Sequence, residues 1–288
     1  MKVGIVQLDC KINRSDSNMR RAERYIEQAI EAGVDLVCLP EAFLTSGNIL
    51  EVADVAVVIP GAATEALGAL ARKGGISIIA GLLEKDGEAY YSTAVLIGPD
   101  GAIAASYRRV HCFEMERKYL ACGDQFACID TPHGRIGLIL GYDLNFPETC
   151  RALYQEKVDI IFCPALIPEQ FSYVTNQLLT TRAIENQCFI VFVSGVGTNV
   201  YAGFNYMGES CVVADPLFLE DELFDFVDGG ETLLRLNQDE QFQVIELDVG
   251  RLQRYRETRS LIGDTQPDVY LNSWQGIHSR AALSGSNS

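Results

Sequence analysis

Residues 34–40, Val-Asp-Leu-Val-Cys-Leu-Pro, are apolar at every position except Asp35 until the proline closes them. A run of strand length without polar alternation has both faces covered, the condition of an interior parallel strand. Residues 158–164, Val-Asp-Ile-Ile-Phe-Cys-Pro, repeat the pattern, and each run follows a helical segment. Two readings of this echo stand side by side: the chain has two related halves that face each other, or buried strands simply look alike.

The neighbouring segments supply the layers that such strands need. Residues 3–8 read as a strand, Ser15 and Ser17 offer caps, and Met19, Ala22, Tyr25, Ile26, Ala29 and Ile30 recur at three and four, forming one helical face that Gly33 ends. After a second helix over 63–73, strands at 76–83, 90–97 and 103–109 are joined by Asp86-Gly87 and Asp100-Gly101 turns, an antiparallel meander. Strands at 126–130 and 135–140, a helix over 147–155, a strand at 158–163 and a helix from about 169 to 187 restore the alternation. Further strands fall at 189–194, 210–213, 232–236 and 243–247, followed by a helix over 249–260. The class is mixed α/β. No linker divides the chain, so one domain over 1–275 is expected, with the small and polar residues of 276–288 as a flexible tail.

The formal charge of -16 and a pI near 4.6 repel polyanions, which argues against nucleic acid and acidic membrane surfaces as partners. Nine cysteines, an odd number, lie scattered through apolar runs, the usage of a reduced cytoplasmic protein. With only His111, His133 and His278 and no cysteine pair at ligand spacing, no metal site and no cofactor is expected. The opening Met-Lys-Val-Gly-Ile-Val-Gln-Leu-Asp-Cys is too short in apolar residues for a signal peptide or membrane span, so the mature chain is expected to start at Met1.

Three places carry candidate chemistry. Glu41, in Leu-Pro-Glu-Ala-Phe, emerges at the end of a buried strand, where α/β sheets place ligands. Arg109 ends a later strand, with Glu116 beyond it. Residues 137–148, Gly-Leu-Ile-Leu-Gly-Tyr-Asp-Leu-Asn-Phe-Pro-Glu, form an apolar strand that turns sharply into a helix, the geometry that displays a nucleophile or an oxyanion hole. Here the tip residue, Gly141, has no side chain.

In order and spacing these motifs resemble the nitrilase (carbon-nitrogen hydrolase) superfamily over nearly the whole chain. Further likeness lies in Arg182-Ala183-Ile184-Glu185-Asn186, in Gly208-Glu209-Ser210 with Asp215-Pro216, and in Pro267-Asp268-Val269-Tyr270. The resemblance implies a four-layer α-β-β-α sandwich whose protomers form a homo-oligomer by helix packing. It also implies a general-base glutamate at Glu41, a second glutamate at Glu116, and an oxyanion-stabilising lysine whose position Arg109 holds. The position of the attacking cysteine falls on Gly141. Tyr142 and Asp143 follow that turn, the Tyr142 N–H as an oxyanion donor; with Phe43 and Ile167 they are the expected ligand contacts.

Glycine cannot form a thioester or thioimidate, and Arg109 keeps a positive charge but cannot donate a proton. The reading this favours is a non-hydrolytic relative that binds a small amide, carboxylate or partner subunit. The alternative is an active enzyme on a C–N bond in which Glu41 acts as base without a covalent intermediate.

Overall fold

The computed structural model describes residues 1–216 and 231–284. Its strands are β1 (Lys2–Gln7), β2 (Leu36–Cys38), β3 (Ser77–Asp86), β4 (Ala89–Ile97), β5 (Ile103–Arg108), β6 (Ala127–Thr131), β7 (Gly134–Leu138), β8 (Ile160–Ala165), β9 (Phe189–Ser194), β10 (Val196–Asn199), β11 (Phe204–Met207), β12 (Cys211–Val213), β13 (Thr232–Arg235) and β14 (Gln241–Glu246). The helices are α1 (Ser15–Glu31), α2 (Val52–Val55), α3 (Ala62–Gly74), α4 (Pro147–Gln155), α5 (Leu179–Asn186), α6 (Val249–Arg259) and α7 (Pro267–Ser284).

Two six-stranded sheets form, ordered β14-β1-β2-β3-β4-β5 and β13-β12-β9-β8-β7-β6. Consecutive residues of β2 explain why its sequence lacks polar alternation. Val37 packs with Ala22 and Ile26 of α1 and with Leu67 and Ala71 of α3. Leu36 and Cys38 point the other way, into a cluster with Leu138, Phe162 and Val191 of the facing sheet. Cys150 and Leu153 of α4 and Leu179 and Ala183 of α5 join the same cluster. The layers are therefore helices, sheet, sheet, helices, the α-β-β-α sandwich expected from the sequence. Full burial of each large aliphatic side chain contributes about 1.5–3 kcal/mol.

The echo between residues 34–40 and 158–164 has a structural counterpart. In the first sheet β1, β2 and β3 pair in parallel, with β14 antiparallel at one side and β4 then β5 antiparallel at the other. In the second, β7, β8 and β9 are parallel, flanked by antiparallel β6 and by β12 then β13. The two aspartates make equivalent bonds, since Lys2 N–H donates to Asp35 Oδ2 at 2.7 Å and Arg135 N–H to Asp159 Oδ2 at 2.9 Å, each closing a helix-to-strand return. Of the two readings of the echo, the structure favours related, facing halves.

Three features differ from the sequence expectation. The hairpin of β10 and β11 is additional; its short strands mix polar and apolar residues and carry no period. The single helix expected over about 169–187 is broken into a 3-10 turn at Glu169–Phe171, a π turn at Val174–Leu178 and then α5. Helix α7 runs to Ser284, past the point where the flexible tail is expected to begin, because Ala281, Ala282 and Leu283 are good helix formers. Residues 285–288 of that expected tail lie outside the described residues. No helix among the described residues is long and apolar enough to cross a membrane.

Candidate active site

Strand β2 ends against β3, with Leu39 N–H donating to Ile79 O at 2.8 Å and Pro40 O accepting from Gly81 N–H at 3.2 Å, so that Glu41 emerges just past the C-terminal end of an interior strand. Glu41 is 6% exposed. Its Oε1 accepts from Ser92 Oγ at 2.6 Å and from Arg109 Nη1 at 2.8 Å. Ser92 stands on β4, and its carbonyl accepts the Arg109 N–H at 2.9 Å, so one residue fixes both members of the ion pair.

Strand alternation separates the two adjacent arginines. Arg108 turns away, donating to Glu84 and Asp86 while lying over the Tyr91 ring. Arg109 turns inward and is buried, with Nη1 on Glu41 and Nη2 on Glu116. Glu116 sits in a 3-10 turn, Glu116–Lys118, where its Oε2 also accepts the Phe113 N–H at 2.9 Å. The order is thus carboxylate, guanidinium, carboxylate. Burial pushes the Glu41 carboxyl up to about 6; Arg109 pulls it down and the charge of Glu116 adds to the rise. For Arg109, burial favours the neutral form, but Glu41 and Glu116 outweigh it and hold the guanidinium firmly charged.

Gly141 begins the 3-10 turn Gly141–Asn145 that follows β7. A β-carbon built on it would lie 3.3 Å from Glu41 Oε2, 3.3 Å from Ile167 Cγ1 and 3.2 Å from Ala165 Cβ. The glycine therefore faces Glu41 across the two sheets and puts no side-chain atom beside it. All nine cysteines are free thiols, and none lines the cavity in front of Glu41. Cys150 is fully buried, and burial pushes the Cys112 thiol up to about 12, so both are the packing residues that their sequence positions suggest.

The cavity measures about 570 Å³ and brings together Glu41, Arg109, Glu116, Tyr142 and Ile167, five of the residues expected from sequence. Two others are corrected. Phe43 is fully buried in the cluster beneath α1 and α3, because Ala42 takes a φ of 46° and turns the chain after Glu41. Asp143 is buried and committed within the protein: it accepts from Tyr107 Oη at 2.7 Å and from the N–H groups of Leu140 and His111, and meets His111 Nδ1 at 2.8 Å. It supports the turn and does not line the cavity. Ser92 is a residue of the candidate site that the sequence reading misses; it is one of two adjacent buried hydroxyls in β4, and Thr93 beside it bonds Glu84 instead, so the sequence does not single it out.

A buried acid at the end of β2, paired through an arginine to a second acid and set against a strand-to-helix turn, coincides with a family match. The family model described as carbon-nitrogen hydrolase matches residues 2–218. The chain belongs to the carbon-nitrogen hydrolase family. Among similar proteins of this family is a nitrilase of Pyrococcus abyssi, 34% identical over 219 residues, covering 74% of this chain and 81% of the relative. An omega-amidase of Homo sapiens is 28% identical over 284 residues, covering 93% and 96%. An (R)-stereoselective amidase of a Pseudomonas species is 30% identical over 267 residues, covering 92% and 91%. The carbon-nitrogen hydrolase fold is shared with a glutamate-to-glutamine mutant of an amidase of Nesterenkonia, at a TM-score of 0.80 and 22% identity over 94% of this chain and 96% of that one; that mutant carries the acetamide moiety of fluoroacetamide covalently on its active-site cysteine. It is also shared with a CN-hydrolase superfamily protein of Xanthomonas campestris, at a TM-score of 0.82 and 23% identity over 92% and 97%.

Proposed function

We propose that this chain is an enzyme acting on the C–N bond of a small amide or related molecule, with Glu41 as general base and no covalent enzyme intermediate. The observation that carries the proposal is the pairing of Glu41 with Gly141: a buried carboxylate, its pKa raised toward neutrality, has one oxygen held by Ser92 and Arg109 and the other facing a position without a side chain. We align Gly141 with the family's attacking cysteine and Arg109 with its lysine. That alignment alone favours a binding-only protein, the first reading of the sequence. The intact Glu41–Arg109–Glu116 array and the enzymes named among the relatives support the active alternative instead.

In the proposed step Glu41 Oε2 removes a proton from a water held in front of Gly141. The water oxygen attacks the amide carbon, and the C=O pair moves onto oxygen. Collapse of the tetrahedral species breaks the C–N bond, and Glu41 returns the proton to the departing nitrogen, leaving a carboxylic acid and an amine. Arg109 orients Glu41 and supplies positive charge nearby; the Tyr142 N–H is the proposed oxyanion donor. General-base assistance is worth about 10²- to 10⁴-fold, which suits an activated or preorganised substrate.

The test compares the unmodified chain, Glu41→Gln, and the double substitution Gly141→Cys with Arg109→Lys on a panel of amides, nitriles and carbamoyl compounds. Turnover by the unmodified chain that disappears in Glu41→Gln is expected. Turnover only in the double variant returns the binding-only reading.

The apolar side chains Val269, Leu271 and Trp274, exposed on α7, support pairing of protomers through helices, which a solution mass equal to one chain contradicts. The free thiols support a reducing, cytoplasmic compartment.

A further inference from the structure

Given the Glu41 pocket as the ligand site, its charge and its rim define what enters it. Arg109 is the one cationic side chain lining the cavity among the described residues. Its Nη1 is held by Glu41 and its Nη2 by Glu116, while its Nε is buried and reaches no partner. Its charge is thus already shared between two carboxylates before any ligand carboxylate arrives. With both acids ionised the lining carries one net negative charge, in a setting dry enough to strengthen repulsion of an anion.

The mouth is of another kind. Leu50, Phe113, Met115, Tyr173 and Tyr201 line it while remaining between 40% and 61% exposed. Five large apolar or aromatic side chains around one opening form a contiguous surface of the sort that contacts a ligand, where scattered single residues would need no explanation. We propose that the substrate is an uncharged or cationic amide without a carboxylate, and that it carries an apolar, ring-sized arm that lies on this rim while its C–N bond reaches Glu41. This deepens the reading of the Glu41 site and rests on it for location, though not for catalysis.

The experiment uses the full chain and a matched amide series with a common scissile end, whose distal group is hydrogen, phenyl, ammonium or carboxylate. Binding is measured by calorimetry and turnover separately by amine release. The phenyl member is expected to bind at least tenfold tighter than the hydrogen member, and the carboxylate member at least tenfold weaker than the phenyl one. Leu50→Ala and Phe113→Ala should reduce phenyl affinity several-fold, and by more than they change the affinity for the hydrogen member. Glu116→Gln should narrow the gap between the phenyl and carboxylate members, because it removes one negative charge from the wall. Carboxylate binding equal to phenyl binding, no effect of the arm, or no binding by any member overturns the inference. Binding in the expected order without amine release leaves the inference standing and defeats the catalytic role of Glu41. Turnover with a preference for the carboxylate does the reverse.

Discussion

Gly81 of β3 lies directly against Glu41: a β-carbon there would sit inside the van der Waals shell of the Glu41 α-carbon and 3.0 Å from Pro40 O. Both neighbours are backbone, so neither can rotate away. Gly81→Ala is therefore expected to displace the base, costing about 1–3 kcal/mol in urea unfolding and most of the turnover. Wild-type turnover in that variant would show that the position of Glu41 tolerates a shift.

The Glu41 carboxyl, at about 6 in the folded chain, lies above its ordinary value of 4.5. A base must be ionised, so kcat/KM should rise with pH and level off above about 6. Stability moves the other way. Between these two values the folded state binds more protons than the unfolded one, so stability falls as pH rises through the window, by on the order of 2 kcal/mol. Urea unfolding at a series of pH values should show this fall in the unmodified chain and not in Glu41→Gln.

Arg109→Met should remove the charge that Glu41 and Glu116 share. Breaking a buried pair from one side costs about 3–5 kcal/mol, and Arg109 is among the influences that lower the Glu41 pKa. The pH profile of any remaining activity should move upward. Arg109→Lys keeps the charge and should leave the profile near its original place. Identical profiles for the two variants would mean that the guanidinium does not govern the base.

Asp143→Asn should weaken the turn that carries Gly141. The carboxylate accepts from Tyr107, Leu140 and His111 in a site closed to water, and an amide replaces one acceptor by a donor. A loss of about 2–4 kcal/mol is expected by urea unfolding. A loss below about 0.5 kcal/mol, the scale of a surface change, would contradict the supporting role.

Much of this site is legible in the sequence. Glu41, Arg109 and Gly141 all sit just beyond strand ends, which buried apolar runs mark well, while Glu116 lies in a 3-10 turn further on and is legible only through the motif spacing. What escapes are features set by direction and not by pattern. Phe43 stands two residues beyond Glu41, but the positive φ of Ala42 sends it into the helix-covered core. Asp143 looks like a ligand contact next to Tyr142, yet the tight turn points it inward at Tyr107. Ser92 is one of several hydroxyls in its strand, and its meaning depends on two partners 51 residues before it and 17 after it, at Glu41 and Arg109. Helix α7 lacks a strong apolar stripe to announce it.

Glu41 belongs to one sheet and the Gly141 turn to the other, so their separation is a measure of how far apart two stacked layers rest. Interlayer side chains such as Cys38, Ile79 and Phe162 act as shims between them. Thickening or thinning that filling, well away from the cavity, retunes the reach of Glu41 without touching a ligand.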